Sequence, residues 1–214
     1  MPQTVWIARH GNRLDFVNPE WFNTAERRYD PPLSDDGLVQ AQQLGQRLVE
    51  EGITHIFASP FLRTVQTANL VAEMLDLPIK VESGLSEWLN PHWMTAMPET
   101  SPLVDLAEIF PRIDLSYTSR VTANYPETRE QVLKRAGKTA KLLATEFAEN
   151  ILLVGHGASV LGMAMGLLDV TVEPEINAAL CCLVKLVGDG QEWVMELNGD
   201  VSHLNQVEKA IRFN

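Results

Sequence analysis

Two of the five histidines in this 214-residue chain share one local setting. Thr4-Val5-Trp6-Ile7-Ala8 runs into Arg9-His10-Gly11, and Ile151-Leu152-Leu153-Val154 runs into Gly155-His156-Gly157. Apolar, β-branched runs of this length read as strands, and a glycine directly after them reads as a turn, so both imidazoles stand at the carboxyl ends of strands. An imidazole with one ring nitrogen unprotonated and the other fixed by a hydrogen bond is a nucleophile. Arg9, Arg13 and Arg63 supply guanidinium forks that match the oxygens of a tetrahedral anion. A nucleophile beside fixed positive charge is what phosphoryl transfer asks of a protein, because that reaction needs positioning and neutralisation of the non-bridging oxygens.

Metal ligation is the competing use of histidine. No His-x-His, His-Glu-x-x-His or cysteine cluster accompanies His10 and His156, and the expectation is that neither a metal nor another cofactor is used. His55, His92 and His203 lack a comparable setting and receive no chemistry. Arg13 has Asp15 and Glu20 near it in sequence, so an ordinary ion pair is its alternative role. Trp21, Phe22, Trp88 and Trp93 serve equally as packing or as the wall of a pocket for an aromatic leaving group.

The elements that must position these groups follow from periodicity and caps. Ser34 caps a helix on which Leu38, Ala41, Leu44 and Leu48 recur at helical spacing, with Gly52 closing it. His55-Ile56-Phe57-Ala58 is a second strand, Ser59-Pro60 starts a helix with the proline in its first turn, and Arg63 lies near that positive end. Pro78 stops this helix and Ile79-Lys80-Val81 is a third strand. From Glu87 to about Thr128 the alternation lapses into Trp-, Pro-, Met- and Ser-rich sequence, with one short helix around Leu103 to Ile109. Val132, Leu133, Ala136, Ala140, Leu143 and Phe147 restore a helical face. After the His156 strand come a buried helix from Val160 to Leu167 and two strands, Leu180 to Val187 and Glu192 to Leu197, joined by Gly188-Asp189-Gly190. The tail to Asn214 is polar and is expected at the surface.

Strands alternating with helices predict an α/β fold: three layers, α/β/α, with a mostly parallel sheet, an antiparallel C-terminal hairpin and an inserted cap. The expected organisation is a single domain over residues 1–214, with the cap at about 88–128. Ligands of such sheets sit beyond the carboxyl ends of the strands, where both histidines fall.

Acidic residues outnumber basic ones 28 to 17, which argues against nucleic-acid or anionic-membrane partners. No segment has membrane-spanning length and the first residues lack the pattern of a secretory signal. Cys181 and Cys182 are adjacent on the Leu180–Val187 strand, where they would face opposite ways, so a disulfide between them is not expected. A cytoplasmic location is the reading, and a homodimer is compatible with it.

Taken together, Arg9-His10-Gly11, Leu33-Ser34 with Gly37, Gln40-Ala41 and Leu44, Ser59-Pro60 with Arg63 and Gln66-Thr67-Ala68, and Gly155-His156-Gly157 form an ordered set. This set resembles the histidine phosphatase, or phosphoglycerate mutase-like, superfamily from Thr4 to about Leu168, with an echo at Asn198 to Leu204. The resemblance implies that Arg9, His10, Arg63 and His156 form a phosphate pocket with His10 as nucleophile and no metal. Asn12-Arg13, Tyr29-Asp30-Pro31-Pro32-Leu33 and Glu87-Trp88 look like the T-cell ubiquitin ligand (TULA) phosphatase branch, in which Arg13 would be a third phosphate-contacting arginine. Glu87 is chosen as proton donor to the leaving oxygen, with Glu82, Glu99 and Glu127 in reserve. The implied activity is hydrolysis of phosphate monoesters on a small molecule or phosphopeptide. A phosphomutase of the phosphoglycerate type and a non-catalytic phosphate-binding interaction protein are the alternatives.

Overall fold

A computed structural model of the protein describes residues 2–207. One six-stranded sheet runs through it in the order β3 (Ile79–Val81), β2 (His55–Ala58), β4 (Ile151–Gly155), β1 (Gln3–Arg9), β5 (Leu183–Gly188), β6 (Trp193–Asp200). The pairs β3–β2, β2–β4 and β4–β1 are parallel, whereas β1–β5 and β5–β6 are antiparallel. This is the expected mostly parallel sheet with a C-terminal hairpin.

The central strands are apolar at nearly every position because both of their faces are covered. Alternation then divides them. Trp6, Ala8, Leu152 and Val154 join one core cluster with Ala41, Leu44 and Leu48 of α3 (Asp35–Leu48) and Val65, Ala68 and Val71 of α4 (Leu62–Leu75). Val5, Ile7, Ile151 and Leu153 join the other with Ala136, Ala140 and Leu143 of α6 (Arg129–Glu146) and Val160, Met163 and Leu167 of α7 (Gly157–Leu168). The result is the three-layer arrangement.

Two caps behave as their sequences suggest. The Ser34 hydroxyl accepts from Gly37 N at 3.3 Å, and Thr128 with Gln131 forms a reciprocal capping box that starts α6. In the 88–128 stretch the expected short helix is α5 (Leu103–Ile109).

Several boundaries differ from the sequence reading. Pro60 precedes α4 by two positions, so Phe61 is the cap and Arg63 the second helical residue. Between β1 and α3 the chain makes two one-turn helices, α1 (Leu14–Val17) and α2 (Trp21–Thr24), too short for periodicity to reveal. Strand β5 starts at Leu183, not Leu180: Cys181 takes a left-handed φ of 52° and Cys181 N donates to His10 O at 3.1 Å, which bends the chain ahead of the strand. The two cysteines therefore lie in a turn beside the His10 loop, both buried free thiols, with burial lifting Cys182 to about 11. The part of the polar tail beyond residue 207 lies outside the described residues, among which no helix is long and apolar enough to cross a membrane.

Candidate active site

The four parallel strands deliver their carboxyl ends to one place. His10 follows β1 and its amide donates to Gly155 O at 3.1 Å. Ser59 follows β2 and donates to Val154 O at 3.0 Å, and Glu82 follows β3 and donates to Ala58 O at 2.8 Å. These bonds extend the sheet ladder past the strands and set the heights of His10, His156, Ser59 and the chain leading to Glu87.

The residues of the ordered sequence set are the ones that hold this edge. A Cβ on Gly11 would lie 2.6 Å from Gly37 O, and one on Gly37 only 2.2 Å from Asn12 O, so the first turn of α3 packs backbone to backbone against the His10 loop. Gln40 Oε1 accepts from Asn12 N at 2.8 Å and Thr67 Oγ1 from Gly11 N at 3.2 Å. Gln66 Oε1 accepts from Leu33 N at 2.7 Å, and Asp30 Oδ1 from Leu62 N, at the start of α4, at 2.7 Å.

Within this frame His10 is fully buried. Its Nδ1 lies 2.7 Å from Gly11 O, and a carbonyl can only accept, so the proton sits on Nδ1 and Nε2 carries the lone pair. Nε2 has no hydrogen-bond partner among the described residues. Burial, and then the charges of Arg63, Arg9, His156 and Arg13, hold the imidazole pKa well below its usual value, which keeps it neutral.

The His156 ring meets that of His10 edge to face at 5.2 Å between centroids. Its Nε2 is 2.8 Å from Ser59 Oγ, and its Nδ1 lies 3.2 Å from Arg63 Nη2. Burial lowers its pKa to about 4 against the pull of Glu87.

Arg63 Nη2 also reaches Glu87 Oε2 at 3.3 Å, and the same oxygen is 3.3 Å from His156 Nδ1. Burial alone would push the Glu87 carboxyl up, but His156, Arg63 and Arg13 more than offset this and hold it well below the usual carboxylate range. Arg63 itself is lowered by burial to about 10, so it stays cationic through neutral pH. The carboxylate of Glu87 thus occupies the seat between guanidinium and imidazole that suits an anionic oxygen.

Arg9 is buried, with Nη1 donating to Ala178 O at 2.8 Å. Arg13 forms a two-pronged pair with Asp15, Nε to Oδ1 at 2.9 Å and Nη2 to Oδ2 at 2.5 Å, with its guanidinium 4.5 Å above the Phe16 ring. It nonetheless lines the same cavity as Arg63 and Glu87. This cavity, about 350 Å³, has Phe16, Phe22, Tyr29, Trp93 and Met94 as its apolar side. Of the four aromatics expected as packing or wall, Phe22 and Trp93 line it. Trp21 and Trp88 are tied instead by their indole N–H groups to Arg28 O and Glu127 O. A larger surface groove of about 720 Å³ between α6 and α7 contains no histidine and none of the arginines named above.

The reserve carboxylates lie elsewhere. Glu82 is fully buried but accepts from Gly84 N, Tyr117 OH, Ser119 Oγ, Arg120 N and Val121 N, which spends it on anchoring the 117–121 segment. Glu127 is paired with Arg135, and Glu99 is exposed. His55 pairs with Glu149, His92 is exposed and His203 Nε2 meets Cys181 O at 3.1 Å. Sequence reading missed Ser59 as the hydrogen-bond partner of His156 Nε2, and Arg135. The serine was visible in Ser59-Pro60, but nothing in the sequence marked the arginine.

His10, Glu87 and His156 offer ligand atoms within 4.8 Å of one another, a set that could in principle take a metal ion. The surroundings favour the opposite charge. Arg63 already donates into the space between Glu87 and His156, and Arg9 and Arg13 add positive charge about His10. The arrangement suits an anion beside an unprotonated imidazole nitrogen.

Comparison with known proteins gives the family. The sequence is 31% identical to the transcription factor tau 55 kDa subunit of Saccharomyces cerevisiae, over 77% of this chain and 41% of that protein. It is 30% identical to the ecdysteroid-phosphate phosphatase of Drosophila melanogaster, over 73% of this chain and 26% of that protein. It is 28% identical to the human ubiquitin-associated and SH3 domain-containing protein A, a TULA relative, over 74% of this chain and 30% of that protein. The chain thus spans less than half the length of each of these relatives. Its fold matches the Bombyx mori ecdysone phosphate phosphatase solved with tungstate, with a TM-score of 0.80 at 24% identity over 99% of this chain and 98% of that one. The profile of the histidine phosphatase superfamily (branch 1) matches residues 5–201, and the chain belongs to that superfamily.

Proposed function

We propose that the protein hydrolyses phosphate monoesters through a phosphohistidine on His10, without a metal. The observation that carries this reading is the buried, neutral His10 with an unpartnered Nε2, set among three arginines and a second neutral histidine. The lone pair on Nε2 attacks phosphorus as the ester bond to the leaving oxygen breaks, Arg9, Arg63 and Arg13 neutralise the non-bridging oxygens, and His156 donates a hydrogen bond to them. Glu87 gives its proton to the departing oxygen and then takes one from the water that cleaves the P–N bond, which returns His10 to its neutral form.

Glu87 meets the demand for a proton through competition. The incoming phosphoryl oxygens take over the donors of Arg63 and His156 that otherwise serve its carboxylate, and their negative charge raises its proton affinity. The apolar side formed by Phe16, Phe22, Trp93 and Met94 suits a leaving group with an aromatic or aliphatic surface, on a small molecule or a phosphopeptide.

The test is a panel of phosphate monoesters assayed with chelator present. Release of inorganic phosphate by the wild type and its loss in a folded His10→Ala variant are expected. Activity that requires an added divalent metal, or survives in His10→Ala, contradicts the proposal. Isomerisation of 3-phosphoglycerate in the presence of its bisphosphate would favour a mutase, and oxyanion binding without turnover an interaction protein.

A further inference from the structure

The peptide that carries Glu87 is held from behind by a residue with no counterpart in the chemistry. Arg135 lies on α6 and is 8% exposed. A guanidinium has five N–H donors, and here each has an acceptor. Nε reaches Glu127 Oε1 at 2.6 Å and Nη2 reaches Glu127 Oε2 at 2.8 Å. Nη2 also reaches Glu87 O at 3.0 Å, and Nη1 reaches Gly84 O at 2.8 Å and Ser86 O at 3.2 Å. Three carbonyls within one four-residue stretch therefore converge on a single planar group, with Glu87 the last of them.

Glu127 closes the other side. Its backbone N–H donates to Leu89 O at 2.9 Å, its Oε2 accepts from Leu89 N at 3.4 Å and its carbonyl accepts from Trp88 Nε1 at 2.9 Å. A Cβ on Gly84 would lie 2.2 Å from Thr139 Oγ1, so the start of the same stretch is pressed onto α6. The backbone from 84 to 89 is thus fastened to α6 and to Glu127 just ahead of it, while the Glu87 carboxyl reaches Arg63 and His156.

We infer that Arg135, braced by Glu127, is the positioning residue of the proton donor: it fixes the Glu87 main chain so that the side chain can exchange partners without losing its place beside the leaving oxygen. This inference rests on the reading of Glu87 as general acid. A salt bridge that served stability alone would need only the carboxylate of Glu127. The three carbonyl bonds commit the guanidinium to the catalytic segment instead.

A leaving-group series separates the two roles. Phenyl phosphate needs protonation of its leaving oxygen, whereas 2,4-dinitrophenyl phosphate departs as a stable anion. Because kcat/KM reports the steps up to phosphoryl transfer, it is compared for both esters in Glu87→Gln, Arg135→Lys and the double variant Arg135→Met/Glu127→Leu. The double variant removes both buried charges together, so neither is left unpaired. Activity is expressed per tungstate-binding site so that misfolded protein does not count.

The expected result is a loss of about 30-fold or more on phenyl phosphate in the double variant, against about 3-fold or less on the dinitrophenyl ester, with Arg135→Lys between it and the wild type. Glu87→Gln should show the same selectivity, more strongly. Equal losses on both esters, or none, in the Arg135 variants while Glu87→Gln remains selective would overturn the inference and leave the acid assignment standing. A Glu87→Gln variant that loses both activities equally removes that assignment and the inference with it.

Discussion

Binding an oxyanion should draw a proton into the site, and the structure gives the size of the effect. In the free site Glu87 is ionised, held so by His156, Arg63 and Arg13. The ligand atoms of His10, Glu87 and His156 lie within 4.8 Å of one another, and an anion seated in the space they enclose is taken to lie about that far from the carboxylate. At an effective dielectric constant of about 20, each unit of negative charge at that distance favours the protonated carboxyl by about 3.5 kcal/mol, and a dianion by about twice that. That push opposes the hold of His156, Arg63 and Arg13 on the ionised form and moves the carboxyl toward its protonated state.

Tungstate, kept dilute enough at pH 6 not to condense into polytungstates, is a suitable probe because its monomer is a dianion. Calorimetric titration at pH 6 in buffers of different ionisation enthalpy should return a net uptake of protons on tungstate binding that shrinks as the pH is raised. Glu87→Gln should bind tungstate with no uptake. Zero uptake in the wild type, or an uptake unchanged in Glu87→Gln, would refute the reasoning that turns this carboxylate into an acid.

Two further outcomes follow from the same geometry. Gly37→Ala must push the first turn of α3 off Asn12 O, so it should destabilise the protein by about 2 to 4 kcal/mol in urea unfolding and lower kcat more than a comparable core truncation away from the site, because the displaced backbone carries His10. Acid should destabilise the fold from pH 6.5 downward. The unfolded chain protonates its histidines near 6.5 while native His156 resists until about 4, so the unfolded state binds the extra proton in that window and stability falls with pH, by about 3 kcal/mol for His156 across it. Below 4.5 Glu87 continues the trend, since its native carboxyl is the harder to protonate. Urea unfolding at pH 7 and pH 5 should show about 2 kcal/mol of this loss, and His156→Asn should shrink it.

Much of the scaffold was legible because the relevant signals are local. A strand buried on both faces is a continuous apolar run, and a turn at its end is a glycine, which placed His10 and His156 at one sheet edge. Ser34, Thr67 and Gln40 belonged to recognisable spacings, and their hydrogen bonds show why those residue types stand there. What stayed hidden depends on contacts between distant segments. Arg135 reads as one polar residue on an amphipathic helix, and only the return of the 84–89 stretch onto α6 gives it acceptors. Cys181 and Cys182 extend an apolar run that looks like strand, yet the bond from Cys181 N to His10 O turns the chain first. The one-turn helices α1 and α2, which carry Phe16 and Phe22 to the cavity, are shorter than any period that could announce them.

The central claim is that His10 Nε2 becomes bonded to phosphorus. The direct measurement is rapid alkaline quench of the enzyme during turnover of a ³²P-labelled monoester with chelator present, followed by peptide mapping. The account predicts acid-labile, base-stable label on the peptide containing His10, formed and lost at rates that match turnover. Label on another residue, or full turnover with none on His10, would contradict it.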